Sequence, residues 1–219
     1  MHHAYTGNYR RHFIASALAL GTCPWALAAQ NAKKPHVLIF GDSLSAEYGL
    51  ARGTGWVALL TEQLKKKQTD VQVTNASISG ETTSGGRSRL PALLRAHQPS
   101  VVVLELGAND ALRGLPLAGT LDNLRAMVQA AQDSGAKVLI LGVQMPPNYG
   151  KKYAQDFEQL FVQVAKERKA ALVPSFLKDV ADAADPTALF QADRIHPTAQ
   201  AQPILLRNVW SQLAPLLQP

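Results

Sequence analysis

Three short apolar runs constrain the fold of this chain more than any other feature. Residues 37–40, 101–104 and 138–141 are continuously apolar instead of alternating between apolar and polar positions. Continuous runs are buried on both faces, which is typical of a parallel sheet covered by helices. Shorter strands are expected at residues 71–73 and 171–173. The sequence therefore predicts a five-stranded parallel sheet.

Amphipathic stretches lie between these runs. Trp56, Leu59, Leu60 and Leu64 fall on one helical face. The same spacing recurs within residues 121–131, 153–164 and 205–213. Strands that alternate with helices of this length predict a doubly wound α/β sandwich of three layers, with right-handed crossovers.

The first 28 residues differ from the rest and predict an export signal. Arg10 and Arg11 precede a short apolar run, and Ala26-Leu27-Ala28 resembles a cleavage site. The run is too short to anchor the chain in a bilayer. Both an ordinary secretory route and a twin-arginine route fit this pattern. We expect a periplasmic or secreted protein whose single domain covers residues 29–219.

Charge and cysteine content give little indication of a macromolecular partner. The formal charge is +6, and the basic residues are scattered apart from Lys65-Lys66-Lys67 and Lys151-Lys152. Neither run is interleaved with aromatic residues as a nucleic-acid surface would be. Both are interpreted as solvated faces, with at most a transient membrane-surface contact. The single cysteine, Cys23, lies in the predicted leader.

Polar residues follow the predicted strands at four places. Gly41-Asp42-Ser43-Leu44-Ser45 comes directly after the first apolar run, and glycine-bearing loops follow at Gly80 and at Gly107-Ala108-Asn109-Asp110. Near the end, Asp193-Arg194-Ile195-His196-Pro197 places a carboxylate and an imidazole three residues apart. These segments contain a nucleophile, a base, an orienting acid and oxyanion donors, which is the inventory of an acyl-transfer enzyme.

In this order and spacing the four segments resemble the conserved blocks of the SGNH (GDSL) hydrolase superfamily. The resemblance extends from residue 41 to residue 197 and is closest to the bacterial thioesterase I, lysophospholipase L1 and arylesterase group. It implies the SGNH hydrolase fold, which is a flavodoxin-like sheet, and a monomer without a cofactor. It also implies hydrolysis of acyl esters and thioesters, such as aryl esters, lysophospholipids and acyl-CoA, through an acyl-enzyme.

The predicted catalytic residues are Ser43, Asp193 and His196. Ser43 is the predicted nucleophile, and its alternative role is a helix N-cap. Outside the leader the histidines are His36, His97 and His196, and only His196 has a carboxylate one turn away. We therefore expect Asp193 to orient His196, and His196 to take the proton of Ser43. No metal site is expected, because no further ligands have suitable spacing near His196.

The predicted oxyanion donors are the backbone N–H groups of Ser43 and Gly80 and the side chain of Asn109. Glycine allows close approach of the main chain, and an amide donates without carrying charge. Both residue types are also common in ordinary turns. Asp42 and Asp110 are interpreted as braces that hold their loops.

The acyl-binding walls are predicted in two segments. In the resembled family the segment after the third block, here residues 111–116, shapes the acyl pocket. Residues 144–152 are expected to form another wall. The apolar side chains proposed for these walls favour fatty acyl groups; they are Leu112, Leu115, Met145 and Tyr149.

Two other functions remain open at this point. A carbohydrate O-acetylesterase would use the same blocks, with aromatic platforms for sugars, for which Tyr48, Tyr149 and Tyr153 are the candidates. A catalytically silent flavodoxin-like binding module would use its glycine-rich loops to hold phosphate at helix N-termini.

Overall fold

The computed structural model describes residues 1–4, 7, 34–145, 149–185 and 187–218. The chain divides into the units Met1–Lys33 and Lys34–Pro219, and every element below belongs to the second. The features that predict export, at residues 10–28, lie outside the described residues. None of the described helices is long and apolar enough to cross a membrane.

Five parallel strands form one sheet in the order β2-β1-β3-β4-β5. The strands are β1 His36–Gly41, β2 Gln72–Asn75, β3 Val101–Glu105, β4 Lys137–Leu141 and β5 Ala171–Val173. All residues of β1 and β3 are buried, as the continuous apolar runs predict. The predicted fold class, a doubly wound flavodoxin-like parallel sheet, is confirmed.

Helices cover both faces of this sheet. They are α1 Trp56–Lys66, α2 Thr83–His97, α3 Ala108–Leu112, α4 Leu117–Asp133, α5 Lys151–Arg168 and α6 Gln202–Leu216. On one face α1 packs against α6, and on the other α4 packs against α2 and α5. Within α1 the predicted apolar face is buried at Trp56, Leu60 and Leu64. The three predicted layers are therefore present.

The helix α2 begins inside a segment that resembles a catalytic block. Thr82 caps its N-terminus by accepting the N–H of Gly85 at 3.3 Å, and Gly85 and Gly86 then continue as helix. Its sequence also contains Pro91, so helical periodicity alone gives a weak signal here. Because α2 already begins at Thr83, the loop that contains Gly80 is short.

The carboxyl ends of all five strands meet at one edge of the sheet. From β1 the chain crosses to β2 on one side, whereas β3 leads to β4 on the other. Loops separate at such a switch point and leave a crevice in which open α/β proteins bind ligands. Ser43 follows β1 and Asn109 follows β3, so the two lie on either side of this crevice.

Candidate active site

Ser43 lies in a turn two residues after β1. The turn is closed by the carbonyl oxygen of Asp42, which accepts the N–H groups of Ser45 at 3.2 Å and Ala46 at 3.0 Å. The next helix, α1, begins only at Trp56 and has Gly55 at its N-cap. Ser43 is therefore not a helix cap, and its hydroxyl is available for another contact.

That contact is His196, which links Ser43 to Asp193. The Oγ of Ser43 lies 2.8 Å from Nε2 of His196, and Nδ1 of His196 lies 2.7 Å from Oδ2 of Asp193. A carboxylate only accepts hydrogen bonds, so the imidazole proton is assigned to Nδ1. Nε2 is then an acceptor for the serine hydroxyl. The structure thus joins these three predicted residues in a hydrogen-bonded chain.

Asp193 is held as a carboxylate by its own turn. Its Oδ1 accepts the backbone N–H groups of Ile195 at 2.9 Å and His196 at 3.0 Å. Desolvation raises its pKa, but these N–H groups and the imidazole of His196 more than offset that effect and lower the pKa to about 2. A charged Asp193 is suited to stabilise an imidazolium at His196.

An aromatic ring covers one face of the histidine. The ring centroid of Tyr48 lies 4.3 Å from that of His196, and the two planes are inclined by 37°. Gln191 connects the two segments, since its Nε2 donates to the carbonyl oxygens of Tyr48 at 2.9 Å and Pro197 at 3.1 Å. In the sequence Tyr48 suggested only a platform for sugars, and no local pattern pairs it with His196.

Asn109 enters the site from the first turn of α3. Its Nδ2 donates to Oδ2 of Asp42 at 3.0 Å, and Oδ1 of Asp42 accepts the N–H of Leu44 at 3.0 Å. One amide hydrogen of Asn109 is used in this way, and the second remains for a substrate oxygen. Asp42 is the brace that the sequence predicts, and it braces both the serine turn and Asn109.

Gly80 is linked to α3 by an arginine. Its φ of +79° lies in the left-handed region, which favours glycine. The Nη2 of Arg113, the residue after α3, donates to the carbonyl oxygen of Gly80 at 2.9 Å. Gly80 does not line the cavity described below, whereas Ser43 and Asn109 do. Its oxyanion role stays a prediction.

Asp110 joins the same two loops from the interior. It is 2% exposed, and its carboxylate accepts the backbone N–H of Thr83 at 2.8 Å together with the hydroxyl of Thr83. Thr83 opens α2, and Asp110 lies beside Asn109 in α3. This contact fits the bracing role that the sequence predicts for Asp110.

A second buried carboxylate lies behind the serine turn. Glu105, the last residue of β3, accepts the hydroxyl of Ser45 at 2.8 Å and the N–H of Asp42 at 3.3 Å. Burial raises the pKa of Glu105 well above its usual range, and the charge of Asp42 adds to this. Burial likewise raises the pKa of Asp42, to about 6, although the N–H of Leu44 and the charge of His196 lower it. Sequence reasoning missed Glu105; its signal was an acidic residue at the end of an apolar run.

A cavity of about 540 Å³ opens beside Ser43. Its walls combine apolar side chains with a few charged ones, among which are Glu158, Asp182 and Arg194. The apolar lining residues are Leu44, Ala108, Leu112, Val143, Met145, Leu177, Ala181, Phe190 and Ile195. This volume and lining suit a small organic ligand with an apolar portion.

Two of the four predicted wall residues lie elsewhere. Leu112 and Met145 line the cavity, but Leu115 and Tyr149 are not among its described lining residues and are 39% and 38% exposed. Leu115 comes just after the turn at Gly114 that ends α3, and Tyr149 lies before α5. Much of the wall instead comes from residues 177–195, where no periodicity marks the apolar positions.

The described residues contain no group of three or more His, Cys, Asp or Glu side chains that could hold a metal ion. Ser43, His196 and Asn109 line one part of the cavity and bring a hydroxyl, an imidazole and an amide to it. Together they provide a serine oxygen next to a base and a neutral hydrogen-bond donor at one substrate-binding site. That arrangement suits attack on a carbonyl carbon.

Comparison with known proteins assigns the family. Residues 39–203 match the GDSL-like Lipase/Acylhydrolase family. The chain belongs to this family, as the resemblance of its four segments predicts. It is accordingly a carboxylic ester hydrolase, whose substrates are small-molecule esters.

Three relatives indicate where in the family it lies. It is 49% identical to Esterase TesA of Pseudomonas aeruginosa, over 92% of this chain and 99% of that protein. It is 41% identical to Thioesterase 1/protease 1/lysophospholipase L1 of Escherichia coli (strain K12), over 83% and 84%. The crystal structure of the psychrotrophic esterase EstA from Pseudoalteromonas, inhibited by monoethylphosphonate, matches with a TM-score of 0.78 and 39% identity, over 84% and 99%.

Proposed function

We propose that this protein hydrolyses fatty acyl esters and thioesters through a covalent acyl-enzyme on Ser43. The observation that carries the proposal is the chain of short contacts from Ser43 Oγ to His196 Nε2, 2.8 Å, and from His196 Nδ1 to Asp193, 2.7 Å. A serine hydroxyl is a poor nucleophile unless an adjacent base takes its proton. His196 is placed to be that base.

The reaction proceeds in two halves. Ser43 Oγ attacks the acyl carbon while its proton passes to Nε2 of His196, and the charge of Asp193 stabilises the imidazolium. The imidazolium then protonates the departing alcohol or thiol, which leaves the acyl group on Ser43. In the second half water attacks the acyl-enzyme, gives its proton to His196, and the carboxylic acid is released.

The negative charge that develops on the carbonyl oxygen needs donors that are fixed in advance. We assign this task to the Asn109 side chain and the backbone N–H groups of Ser43 and Gly80. The bond from Asn109 to Asp42 supports the assignment, because it fixes the amide before substrate binds. The hydrogen bond from Arg113 to the carbonyl oxygen of Gly80 likewise holds the loop that contains Gly80 before substrate binds.

The substrate preference is proposed from the cavity. Its apolar lining, with Leu112, Met145 and Phe190, favours an acyl chain over a sugar. Tyr48 already packs one face against His196, which disfavours its use as a sugar platform. Relatives named esterase and thioesterase 1/lysophospholipase L1 support both oxygen and sulfur leaving groups. A kcat/KM series over p-nitrophenyl esters and acyl-CoAs of increasing chain length tests this preference.

We also propose that the protein is exported and acts as a monomer. Export is supported by the Arg10-Arg11 pair, the apolar run after it and Ala26-Leu27-Ala28. A single chain is sufficient for the proposed chemistry, because Ser43, Asn109 and His196 meet within it. N-terminal sequencing of protein recovered from the cell envelope should begin near Ala29, and light scattering should give the mass of one chain.

The nucleophile is tested with a fluorophosphonate. The reagent should abolish activity and add its mass to the peptide that contains Ser43, whereas Ser43→Ala should stay unlabelled and keep its thermal stability. Ser45→Ala is the matched control, because Ser45 lies on the same turn but bonds to Glu105. It should still be labelled at Ser43. Labelling of the Ser43→Ala protein at another serine would contradict the proposal. So would a wild-type protein that does not react with the reagent, as expected of a catalytically silent binding module.

A further inference from the structure

Exposed hydrophobic side chains are concentrated at the catalytic edge of the sheet. Apart from Met1, the described part of the chain has six large hydrophobic side chains that are exposed. Val162 lies within α5, and each of the other five lies in a loop that follows a different strand, Leu115 between α3 and α4. These five, here called the apolar rim, are Tyr48 after β1, Ile78 after β2, Leu115 after β3, Tyr149 after β4 and Ile195 after β5.

Three residues of the apolar rim lie beside the catalytic residues. Tyr48 packs against His196, and Ile195 precedes His196 in the chain. The N–H of Ile78 donates to the carbonyl oxygen of Gly41 at 3.0 Å, which holds Ile78 beside the start of the serine turn. Single exposed hydrophobics scattered over a surface need no explanation, but a concentration at one site indicates a contact surface.

Cations accompany the rim residues along the chain. Arg194 precedes Ile195, Lys151 follows Tyr149 by two residues, and Arg52 lies in the Tyr48 connection. All three are exposed, and none forms an ion pair with another described residue. The backbone of Arg194 has φ +58°, a conformation that side-chain-bearing residues rarely adopt, and its side chain borders the cavity.

Several carboxylates at the same edge are committed to internal hydrogen bonds. Glu47 accepts the N–H of Gly55 at 2.7 Å and of Gly53 at 3.0 Å. Asp185 accepts the N–H of Thr187 at 3.0 Å, and Asp193 bonds to His196. These carboxylates keep their charge, but their oxygens are engaged within the protein, whereas Arg52, Lys151 and Arg194 have no ion-pair partner among the described residues and can reach lipid phosphates beside the apolar side chains. This combination is complementary to a surface of acyl chains and anionic head groups.

We propose that the apolar rim, with Arg52, Lys151 and Arg194, docks this edge on an anionic phospholipid bilayer. The rim side chains enter the interfacial region and the cations pair with lipid phosphates. Docking places the mouth of the Ser43 cavity against the surface from which acyl substrates leave. The proposal goes beyond the hydrolysis described above, since binding requires no chemistry.

The test measures binding separately from catalysis. The Ser43→Ala protein is sedimented with vesicles of phosphatidylglycerol and phosphatidylcholine, and with vesicles of phosphatidylcholine alone. It should partition onto the anionic vesicles at least about tenfold better, and rising salt should remove most of that preference. Because this variant cannot form an acyl-enzyme, a failed hydrolysis proposal would leave the binding result intact.

Matched variants locate the surface. Ile78→Ser together with Leu115→Ser should lower partitioning by about tenfold, since each removes apolar area that enters the interface. Val162→Ser is the control, because Val162 is 40% exposed but lies on α5 away from the loops. It should bind like the parent. Lys151→Gln with Arg194→Gln should leave the thermal melt unchanged and remove the preference for anionic vesicles.

Three binding results would overturn the proposal. They are equal losses for Val162→Ser and for the rim pair, no partitioning onto anionic vesicles at low salt, and equal binding to neutral and anionic vesicles. A dimer in light scattering that Ile78→Ser with Leu115→Ser dissociates would also overturn it, because the rim would then cover a second copy of this chain.

Discussion

Two aspartates lie beside Ser43 and His196, and their environments are opposite. Asp42 directly precedes Ser43 and is 1% exposed, whereas the side chain of Asp193 is 38% exposed. Burial raises the pKa of Asp42 to about 6. For Asp193, backbone N–H groups and His196 outweigh desolvation and lower the pKa to about 2. The same side chain is thus driven towards the neutral form in one place and towards the anion in the other.

The contrast shows that the hydrogen-bond partners of each aspartate, and not its distance along the chain from Ser43, determine the role of that aspartate. Asp193 contacts the imidazole and is supported by two N–H groups, so it remains charged when His196 takes a proton. Asp42 instead accepts a hydrogen bond from the side-chain amide of Asn109 and orients that residue. Two carboxylates whose pKa values are pushed apart by their surroundings often divide the work of an active site in this way.

The largest effect should come from removing the base that Asp193 serves. His196→Ala should lower kcat by about 10⁶-fold, as Ser43→Ala should, because neither residue activates the attack alone. The double variant should be little worse than either single one. Steady-state kinetics on a p-nitrophenyl ester measures all three, and losses that multiply in the double variant would disprove the pairing.

The comparison of the two aspartates is tested most directly by asparagine at each position. Asp193→Asn should lower kcat by about 10⁴-fold, because an amide can present the wrong tautomer of His196 and cannot stabilise the imidazolium. Asp42→Asn should cost at most about 10²-fold, through a misplaced Asn109. Equal losses at the two positions, measured on one substrate, would remove the distinction between them.

Asn109→Ala should have the next largest effect, and it tests the role of the amide that Asp42 orients. Its amide should bond the tetrahedral intermediate more strongly than the substrate carbonyl. Its loss should therefore lower kcat by about 10²–10³-fold and change KM little. A thermal melt run beside the kinetics serves as the control, since a purely structural Asn109 would lower the melting temperature and alter KM and kcat together.

The sheet and the contact between Asp193 and His196 could be predicted from the sequence because both are encoded locally. The apolar runs at residues 37–40 and 101–104 are unbroken, and burial in β1 and β3 follows from that alone. Asp193 and His196 are one turn apart, and their contact needs only that turn. Ser43 lies 153 positions from His196, and it was the resemblance of its segment to the first block of the family that linked it to this pair.

The missed features depend on contacts between distant segments. Glu105 meets Ser45 across 60 positions of the chain, and Tyr48 meets His196 across an even longer separation. Leu115 and Tyr149 were proposed as walls because they are apolar and near the site, but local backbone direction decides whether such a side chain faces the cavity or solvent. No periodicity within a loop encodes that direction.

The smallest predicted effect is on stability, and its sign separates the two aspartates. Between pH 4 and 6 the folded state should keep a proton on Asp42 that the unfolded chain has released, because the folded pKa is about 6 and the ordinary value is 3.8. Stability from this group therefore falls as pH rises through that window and is constant above it. Asp42→Asn removes the titration, so the melting temperature of the wild type should decline relative to the variant from pH 4 to 6.

Asp193→Asn is the matched control in the same melts. The folded pKa of Asp193 is lowered to about 2, so its contribution is complete above about pH 5 and is lost as pH falls from there towards 2. The difference between Asp193→Asn and the wild type should therefore change little from pH 4 to 6, and in the opposite direction to that of Asp42→Asn. A change of 1 kcal/mol corresponds to roughly 2–4 °C for a domain of this size, which calorimetry resolves. If the difference in melting temperature between Asp42→Asn and the wild type does not change over that window in the direction expected for Asp42, then Asp42 is ionised like Asp193. Burial would then not have raised the pKa of Asp42.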